Sequence, residues 1–401
     1  MNIFKKAYCR VFQGVFRLIM PILPYRKPQI LNNALQIKEQ LNNKNITSVL
    51  IVTDHFLYSN GYLNDIINTL NSANIQTTVF SEVKPNPTVE NVEGGVIAYK
   101  NANAQAIIAF GGGSPMDAAK GIGARIAYPK KSLKKLKGLL KVLRKTPPIF
   151  AIPTTAGTGS EVTLTAVITD SKTKYKYTMN SFPLIPSYAV LDAKNTVTLP
   201  KNLTSTTGLD ALTHAVEAYI GRSTTKQTRK CAEDAVKLIY DNLFLAYEHP
   251  ENLTARENML NAAYLAGIAF SRSYVGYVHA VAHSLGGQYN LPHGLANSVL
   301  LPVVLEQYGK SVYKKLFKLA LICGLVGEND SQEVGAKAFI SWIKKLNEKM
   351  NIPTAFDCVK KEDIQLMAKH ADSEANPLYP VPVLMDAKQL EIFYYKVLQE
   401  E

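Results

Sequence analysis

Cysteine is scarce. Four thiols, Cys9, Cys231, Cys323 and Cys358, are scattered over 401 residues, and no C-x-x-C occurs. Neither a disulfide framework nor a thiolate zinc knuckle is therefore indicated, and reduced thiols in a cytoplasmic protein are the expectation. Long apolar runs are missing too: none reaches the roughly 18 residues that a spanning helix needs. The most apolar early stretch, 11–24, is interrupted by Arg17, ends in prolines and lacks a small-residue cleavage site, so no secretory signal is expected. Glycine (23) and proline (20) are too few for a fibrous or low-complexity chain, and no fixed-period repeat is present. At 47% hydrophobic and 19% charged residues, the composition is that of a globular protein with a large core. The length suits two to three domains of roughly 150 residues each.

Acid is absent from two stretches. Residues 1–38 carry seven basic side chains and 130–145 carry eight, neither with a single Asp or Glu. Together they exceed the whole net charge of +13, so the rest of the chain is nearly neutral. A nucleic-acid reader would show a recognisable module beside its basic patch, and none is found, so no nucleic-acid partner is expected. In 130–145, leucines at 133, 136, 139, 140 and 143 have helical spacing and predict a surface helix with a solvated lysine face. Near the N-terminus, Phe4, Tyr8, Val11, Phe12, Val15, Leu18 and Ile19 share a helical face. That face is expected to pack against the body or a second subunit; peripheral contact of 1–24 with an anionic membrane is the less favoured reading.

The first half alternates apolar runs with helical patterns. Strands are predicted at 48–54, 77–80, 106–110 and 149–152, with helices at 61–72 and 89–100. That alternation implies a parallel sheet covered on both faces. After about residue 200 only helical periodicity is legible, in 205–221, 228–247, 254–272 and 276–289. The fold class is thus an α/β dinucleotide-binding domain with a parallel sheet, residues 1–202 with 1–38 as an atypical basic segment, followed by an all-α domain, residues 203–401. A cleft between two such domains is a common place for a small-molecule site.

Chemistry concentrates in a few motifs. Gly111-Gly-Gly-Ser114-Pro115-Met-Asp117 follows a strand and opens a helix. Ser114 suits the N-cap, Pro115 the first turn, and glycines let a pyrophosphate approach the helix N-terminus. It is not the G-x-G-x-x-G fingerprint. Asp54 ends the first strand, where an acid can accept from a ribose hydroxyl or simply cap the next helix. Pro153 to Thr163 is rich in hydroxyls and glycine and is either a cofactor-lining loop or a Ser/Thr turn. Of only seven histidines, five fall between 214 and 293, one of them the isolated His249. Asp210 and His214 are four apart, as are His279 and His283, and His293 follows in Leu-Pro-His-Gly. One carboxylate with several imidazoles is a plausible shell for Fe2+, Zn2+ or Ni2+. Spacing does not say which of the five candidates bind. His55, His249 and His370 stand isolated and are read as structural.

Taken together, VTD at 52–54, KPNPT at 84–88, GGGSPMDAAK at 111–120, PTTAGTGSEVT at 153–163, GLDALTHAVEAY at 208–219 and HAVAHSLGGQYNLPHGLAN at 279–297 resemble the iron-containing (group III) alcohol dehydrogenase family. The resemblance runs from about Asn45 to the C-terminus. It implies metal ligands at Asp210, His214, His279 and His293, with His283 as a proton relay. It implies NAD contacts at Asp54, Asn86, Gly112, Gly113, Ser114, Asp117, Thr154, Thr155, Thr158, Thr163 and Lys176. The implied cofactors are NAD and Fe2+, with Zn2+ open, and the implied assembly is a homo-oligomer, commonly a homodimer. The expected activity is hydride transfer between NAD(H) and a small alcohol or aldehyde. The alternatives are a glycerol-dehydrogenase-like polyol enzyme and a dehydroquinate-synthase-like lyase. Departures from the family are the first 30 or so residues, the basic 130–145 segment, Ser284, Ser273 and Arg272, which could alter substrate preference.

Overall fold

The structure, a computed structural model, describes residues 1–171 and 175–399. The chain divides into two units, one of Pro24–Leu199 and one that joins Met1–Leu23 to Pro200–Glu401. The opening helix, α1 (Ile3–Ile19), thus belongs with the helical unit and not with the α/β domain in which the sequence reading places residues 1–38. The reason is polar. Lys5, Arg10 and Gln13 bond to groups between Asp372 and Pro382.

The α/β unit contains a six-stranded, all-parallel sheet in the order β1-β9-β6-β4-β2-β3. Its elements in chain order are β1 (Gln29–Leu31), α2 (Ala34–Asn42), β2 (Ser48–Val52), α3 (His55–Ser59), α4 (Asn64–Asn71), β3 (Gln76–Phe80), α5 (Val89–Asn101), β4 (Ala106–Gly111) and α6 (Gly113–Ala127). Then come β5 (Gly138–Leu139), β6 (Ile149–Pro153), β7 (Thr165–Asp170), β8 (Tyr175–Asn180) and β9 (Tyr188–Val190). Every residue of β2, β4 and β6 is buried, as befits continuous apolar strands with both faces covered. One core joins β2 and β4 to α5 and α6, and a second joins the opposite sheet face to α2 and α4.

Strands β5, β8 and β7 form a small second sheet. The β7–β8 hairpin is antiparallel, pairing Thr165 with Asn180 through Asp170 with Tyr175. Its alternating Thr-Ala-Val-Ile-Thr stretch lies outside the strands that the sequence predicts. Residues 130–145 correct the helical expectation. They form a 3-10 turn over Leu133–Leu136 and then β5 beside β8. Gly138 at φ 96° and Leu140 at φ 54° take left-handed backbone that interrupts a helix. Leu133 and Leu136 are buried, whereas Leu139, Leu140 and Leu143 are exposed.

The helical unit continues with α7 (Lys201–Ile220), α8 (Lys226–Glu248), α9 (Leu253–Ser273), α10 (Tyr277–Tyr289), α11 (His293–Tyr308), α12 (Tyr313–Ile322), α13 (Gln332–Lys349), α14 (Ile364–Ala375) and α15 (Ala387–Val397). Helix α7 is buried from Gly208 to Ile220, so it can carry inward-facing polar groups only if they are partnered. No helix among the described residues is long and apolar enough to cross a membrane.

Candidate metal centre and nucleotide-binding loops

Helical spacing sets Asp210, His214 and Glu217 on one face of α7. Opposite them, α10 supplies His279 and His283, and His293 is the first residue of α11. Gly294 makes the approach of α11 feasible: a Cβ there would lie 2.5 Å from the Thr206 carbonyl oxygen on α7. The outcome is a cluster in which one donor atom from each of Asp210, His214, His279 and His293 lies within 4.8 Å of the others. Asp210 Oδ1 is 3.5 Å from His293 Nε2 and 3.7 Å from His279 Nε2. The His214 ring stacks on Phe270 at 4.1 Å and lies 4.5 Å from the His279 ring.

The surrounding groups set donor roles. Glu217, fully buried, accepts from the Gly276 N–H at 2.7 Å and the Val278 N–H at 2.8 Å, and so caps the start of α10. It also holds Nδ1 of His279 at 2.7 Å, which turns Nε2 toward Asp210. Gly276 has no Cβ to collide with that carboxylate, which would lie 2.6 Å away. Asn297 donates to Asp210 Oδ1 at 2.7 Å and sits 3.1 Å from His293 Nε2. Burial opposes ionisation of Asp210, but the fields of His214, His293 and His279 outweigh it and hold the carboxyl well below the usual range. Burial also presses on His279, yet Asp210 and Glu217 together carry it up to about 9. At His293 burial wins over Asp210 and brings the imidazole down to about 3.

Does this set fit a divalent ion? His279 Nε2 is buried and has no hydrogen-bond partner among the described residues. A buried ring nitrogen without a hydrogen-bond partner is costly unless an ion or another group engages it. Three imidazoles and a carboxylate, with no thiolate, are borderline-hard donors that suit Fe2+ or Zn2+, and the residues fit.

His283 does not join the four. Its ring stacks 5.1 Å from that of His293, and its Nδ1 is 2.6 Å from Glu374 Oε1 on α14. Tyr379 donates to the same oxygen at 2.7 Å. Burial works to raise Glu374, but His283 and these hydrogen bonds hold it below its ordinary value. Glu217 and Glu374 both escape the sequence reading. Glu217 had a signal, seven residues after Asp210 on the same face, whereas Glu374 is 91 residues from its partner and had none. His55, His249 and His370 stay apart from the cluster. Arg272 donates to Gln227 at 2.9 Å.

In the α/β unit, β6, β4 and β2 are neighbours and parallel, so the loops after their carboxyl ends lie side by side, where such sheets bind ligands. Gly111 takes φ 144°, and a Cβ on it would meet Pro115 at 2.7 Å. Gly112, not Ser114, is the N-cap of α6; Ser114 Oγ instead accepts from the Asn86 N–H at 3.3 Å. Side chains on Gly112 and Gly113 would press on Thr155 and Thr158, at 3.3 and 3.0 Å. Lys176, its pKa lowered by burial, donates to Asn86 Oδ1 at 3.0 Å. Asp54 Oδ1 accepts from the Leu57 N–H at 2.9 Å and caps α3. The loop from Pro153 is anchored by Thr154 N to Gly111 O at 3.1 Å and by Lys120. Fully buried, Lys120 donates to Ser160 Oγ, Thr163 O, Thr163 Oγ1 and Thr165 O at 2.8–3.1 Å. Ser160 in turn donates to Asp117 at 3.1 Å. Burial pulls the Lys120 ammonium down against the opposing field of Asp117.

Comparison with known proteins agrees with both halves. Residues 30–193 match the model of the iron-containing alcohol dehydrogenases, and residues 204–397 match that of the C-terminal region of the Fe-containing alcohol dehydrogenase family. The chain is 37% identical over 341 residues to an NAD-dependent methanol dehydrogenase of Bacillus methanolicus, covering 84% of this chain and 88% of that one. It is 39% identical over 335 residues to a 1,3-propanediol dehydrogenase of Klebsiella pneumoniae, covering 82% and 85%. The crystal structure of a 1,3-propanediol oxidoreductase superposes with a TM-score of 0.90 at 34% identity, covering 93% of this chain and 99% of that one. The chain therefore belongs to the iron-containing alcohol dehydrogenase family and is an oxidoreductase of that kind.

Proposed function

We propose that the enzyme moves hydride reversibly between NAD(H) and a small alcohol or aldehyde, with Fe2+ held by Asp210, His214, His279 and His293. The observation that carries this reading is the four-donor cluster with His279 Nε2 buried and bare. The relatives named for methanol and 1,3-propanediol support the substrate class. When bound, the ion supplies Lewis acidity toward the alcohol or carbonyl oxygen and the nicotinamide takes or gives the hydride.

The protein's own groups do the rest. Glu217 fixes the tautomer and orientation of His279, and Asn297 steadies Asp210. His283, with Nδ1–H held by Glu374, keeps Nε2 for proton exchange with the alcohol. Gly112, Gly113 and Ser114 at the start of α6 offer main-chain N–H groups and a helix N-terminus to the pyrophosphate. Thr154, Thr155 and Thr158 border that turn, Asn86 is held there by Lys176, and Asp117 and Thr163 fix the loop through Ser160 and Lys120. Asp54, past β2, accepts from the ribose hydroxyls and repels a 2′-phosphate. A homodimer in the cytoplasm, its four cysteines free, completes the reading.

The test is aldehyde-dependent NADH oxidation across short aldehydes and diols, before and after chelation and after return of Fe2+ or Zn2+. Turnover that disappears with the metal and returns with it is expected. Undiminished turnover in metal-free protein would overturn the reading.

A further inference from the structure

Helix α1 lies outside both matched family regions, 30–193 and 204–397, and no group in the reaction above comes from it. Its polar side is fastened to the protein. Arg10 donates to the carbonyls of Val381 and Pro382 at 2.8 and 2.9 Å, and Gln13 to those of Pro377 and Tyr379 at 3.1 and 2.8 Å. Lys5 pairs with Asp372 at 2.8 Å, and Cys9 is buried between these anchors. The opposite side carries Phe4, Tyr8, Val11, Val15 and Leu18 at intervals of three and four residues, continued by Ile22, and all are exposed. Phe4 is 83% exposed, Leu18 77% and Ile22 80%. Of the two expectations for this apolar face, packing on the body or on a second subunit, the first is therefore not met. The anchors on the other side prevent the helix from rolling over to bury it, and a continuous apolar stripe of this kind marks a surface that something covers.

Charge identifies what covers it. Of the cations on α1, Lys5 and Arg10 are held by the protein, whereas Lys6 and Arg17 are exposed, and no acid occurs from Met1 to Lys38. Two copies meeting stripe to stripe would bring together two basic segments that hold no acid. An anionic bilayer surface complements both features: the apolar side chains enter the boundary between headgroups and acyl chains, and the exposed Lys6 and Arg17 add attraction to its phosphates. We propose that α1 docks the enzyme on an anionic lipid surface, lying flat in the interface.

Flotation of the full-length enzyme with vesicles tests this. Vesicles of mixed phosphatidylcholine and phosphatidylglycerol should carry the enzyme up, pure phosphatidylcholine should carry little, and high salt should weaken the association. A Phe4→Ser/Leu18→Ser double variant should partition at least roughly tenfold more weakly. Its NADH-dependent turnover and unfolding transition should stay unchanged, since both side chains are exposed. Absence of flotation by the wild type, or equal flotation by the variant, overturns the proposal. So does sedimentation velocity showing that the variant loses a dimer while neither protein binds vesicles, because the stripe would then be a subunit contact.

Discussion

Replacing Glu217 with Gln removes a charge and nothing else of size, from a residue that touches no proposed substrate. Oε2 accepts from the Gly276 N–H and from His279 Nδ1, both at 2.7 Å, and Oε1 from the Val278 N–H at 2.8 Å. A glutamine has one oxygen for these three donors. In its better orientation the oxygen keeps Gly276 and His279, and the amide NH2 faces the Val278 N–H. One charge-assisted hydrogen bond is lost, at about 1.5–3 kcal/mol, and a buried donor is left facing another donor, at about 1–3 kcal/mol more. The expected loss is therefore roughly 2.5–6 kcal/mol of unfolding free energy for the metal-free protein. His279 also becomes a poorer base, so metal affinity should fall by about 10–100-fold. Urea unfolding of the stripped enzyme measures the first quantity and competitive metal titration the second. A glutamine variant within about 0.5 kcal/mol of wild-type stability, the ordinary scatter of neutral changes, and with unaltered affinity would refute the assignment of Glu217 as the group that holds His279.

Other outcomes follow from the same geometry. Gly294→Ala should displace α11 from α7, because the new Cβ would sit 2.5 Å from the Thr206 oxygen; metal content at saturation should drop, and an unchanged content would show that the close approach is dispensable. Asp54→Ala should raise kcat/KM for NADPH relative to NADH by at least about tenfold if its carboxylate repels a 2′-phosphate; an unchanged ratio, measured by initial rates, removes Asp54 from that role. Lys120→Met strands four acceptors in the 160–165 region; it should raise the KM for NADH and cost about 3–5 kcal/mol, as when one partner of a buried charged network is removed. Lys315, which bonds the carbonyls of Ile220 and Gly221, is lowered from 10.5 to about 8 by burial and then by Arg229, Arg222 and Arg17. Between those values the unfolded chain binds the extra proton, so stability should climb with pH through this window in the wild type and less steeply in Lys315→Met; parallel slopes would contradict the assignment.

Strands β2, β4 and β6 were legible because wholly buried parallel strands need uninterrupted apolar residues, and the long helices of the second unit because their periodicity persists for four turns or more. The donor spacing on α7 and α10 was legible for the same reason: four residues is nearly one turn. What escaped depended on contacts distant in sequence. The leucines of 130–145 fit a helix until Gly138 and Leu140 take left-handed backbone and the chain pairs with β8. Ser114 suited an N-cap, but Gly112 takes that place and the Ser114 hydroxyl turns to Asn86. The apolar face of α1 was legible, but which side it turns to the protein was decided by backbone carbonyls between Pro377 and Pro382, which carry no side-chain signature. Lys120 was visible in its motif, but its burial under Thr163 and Thr165 was not.

The central claim is that one divalent ion sits among Asp210, His214, His279 and His293. Anomalous diffraction at the iron and zinc edges, from crystals of the loaded and active enzyme, addresses it directly. A single strong peak bounded by the Asp210 carboxylate and the three imidazoles is predicted. A peak elsewhere, or an active crystal with no peak there, would contradict the account.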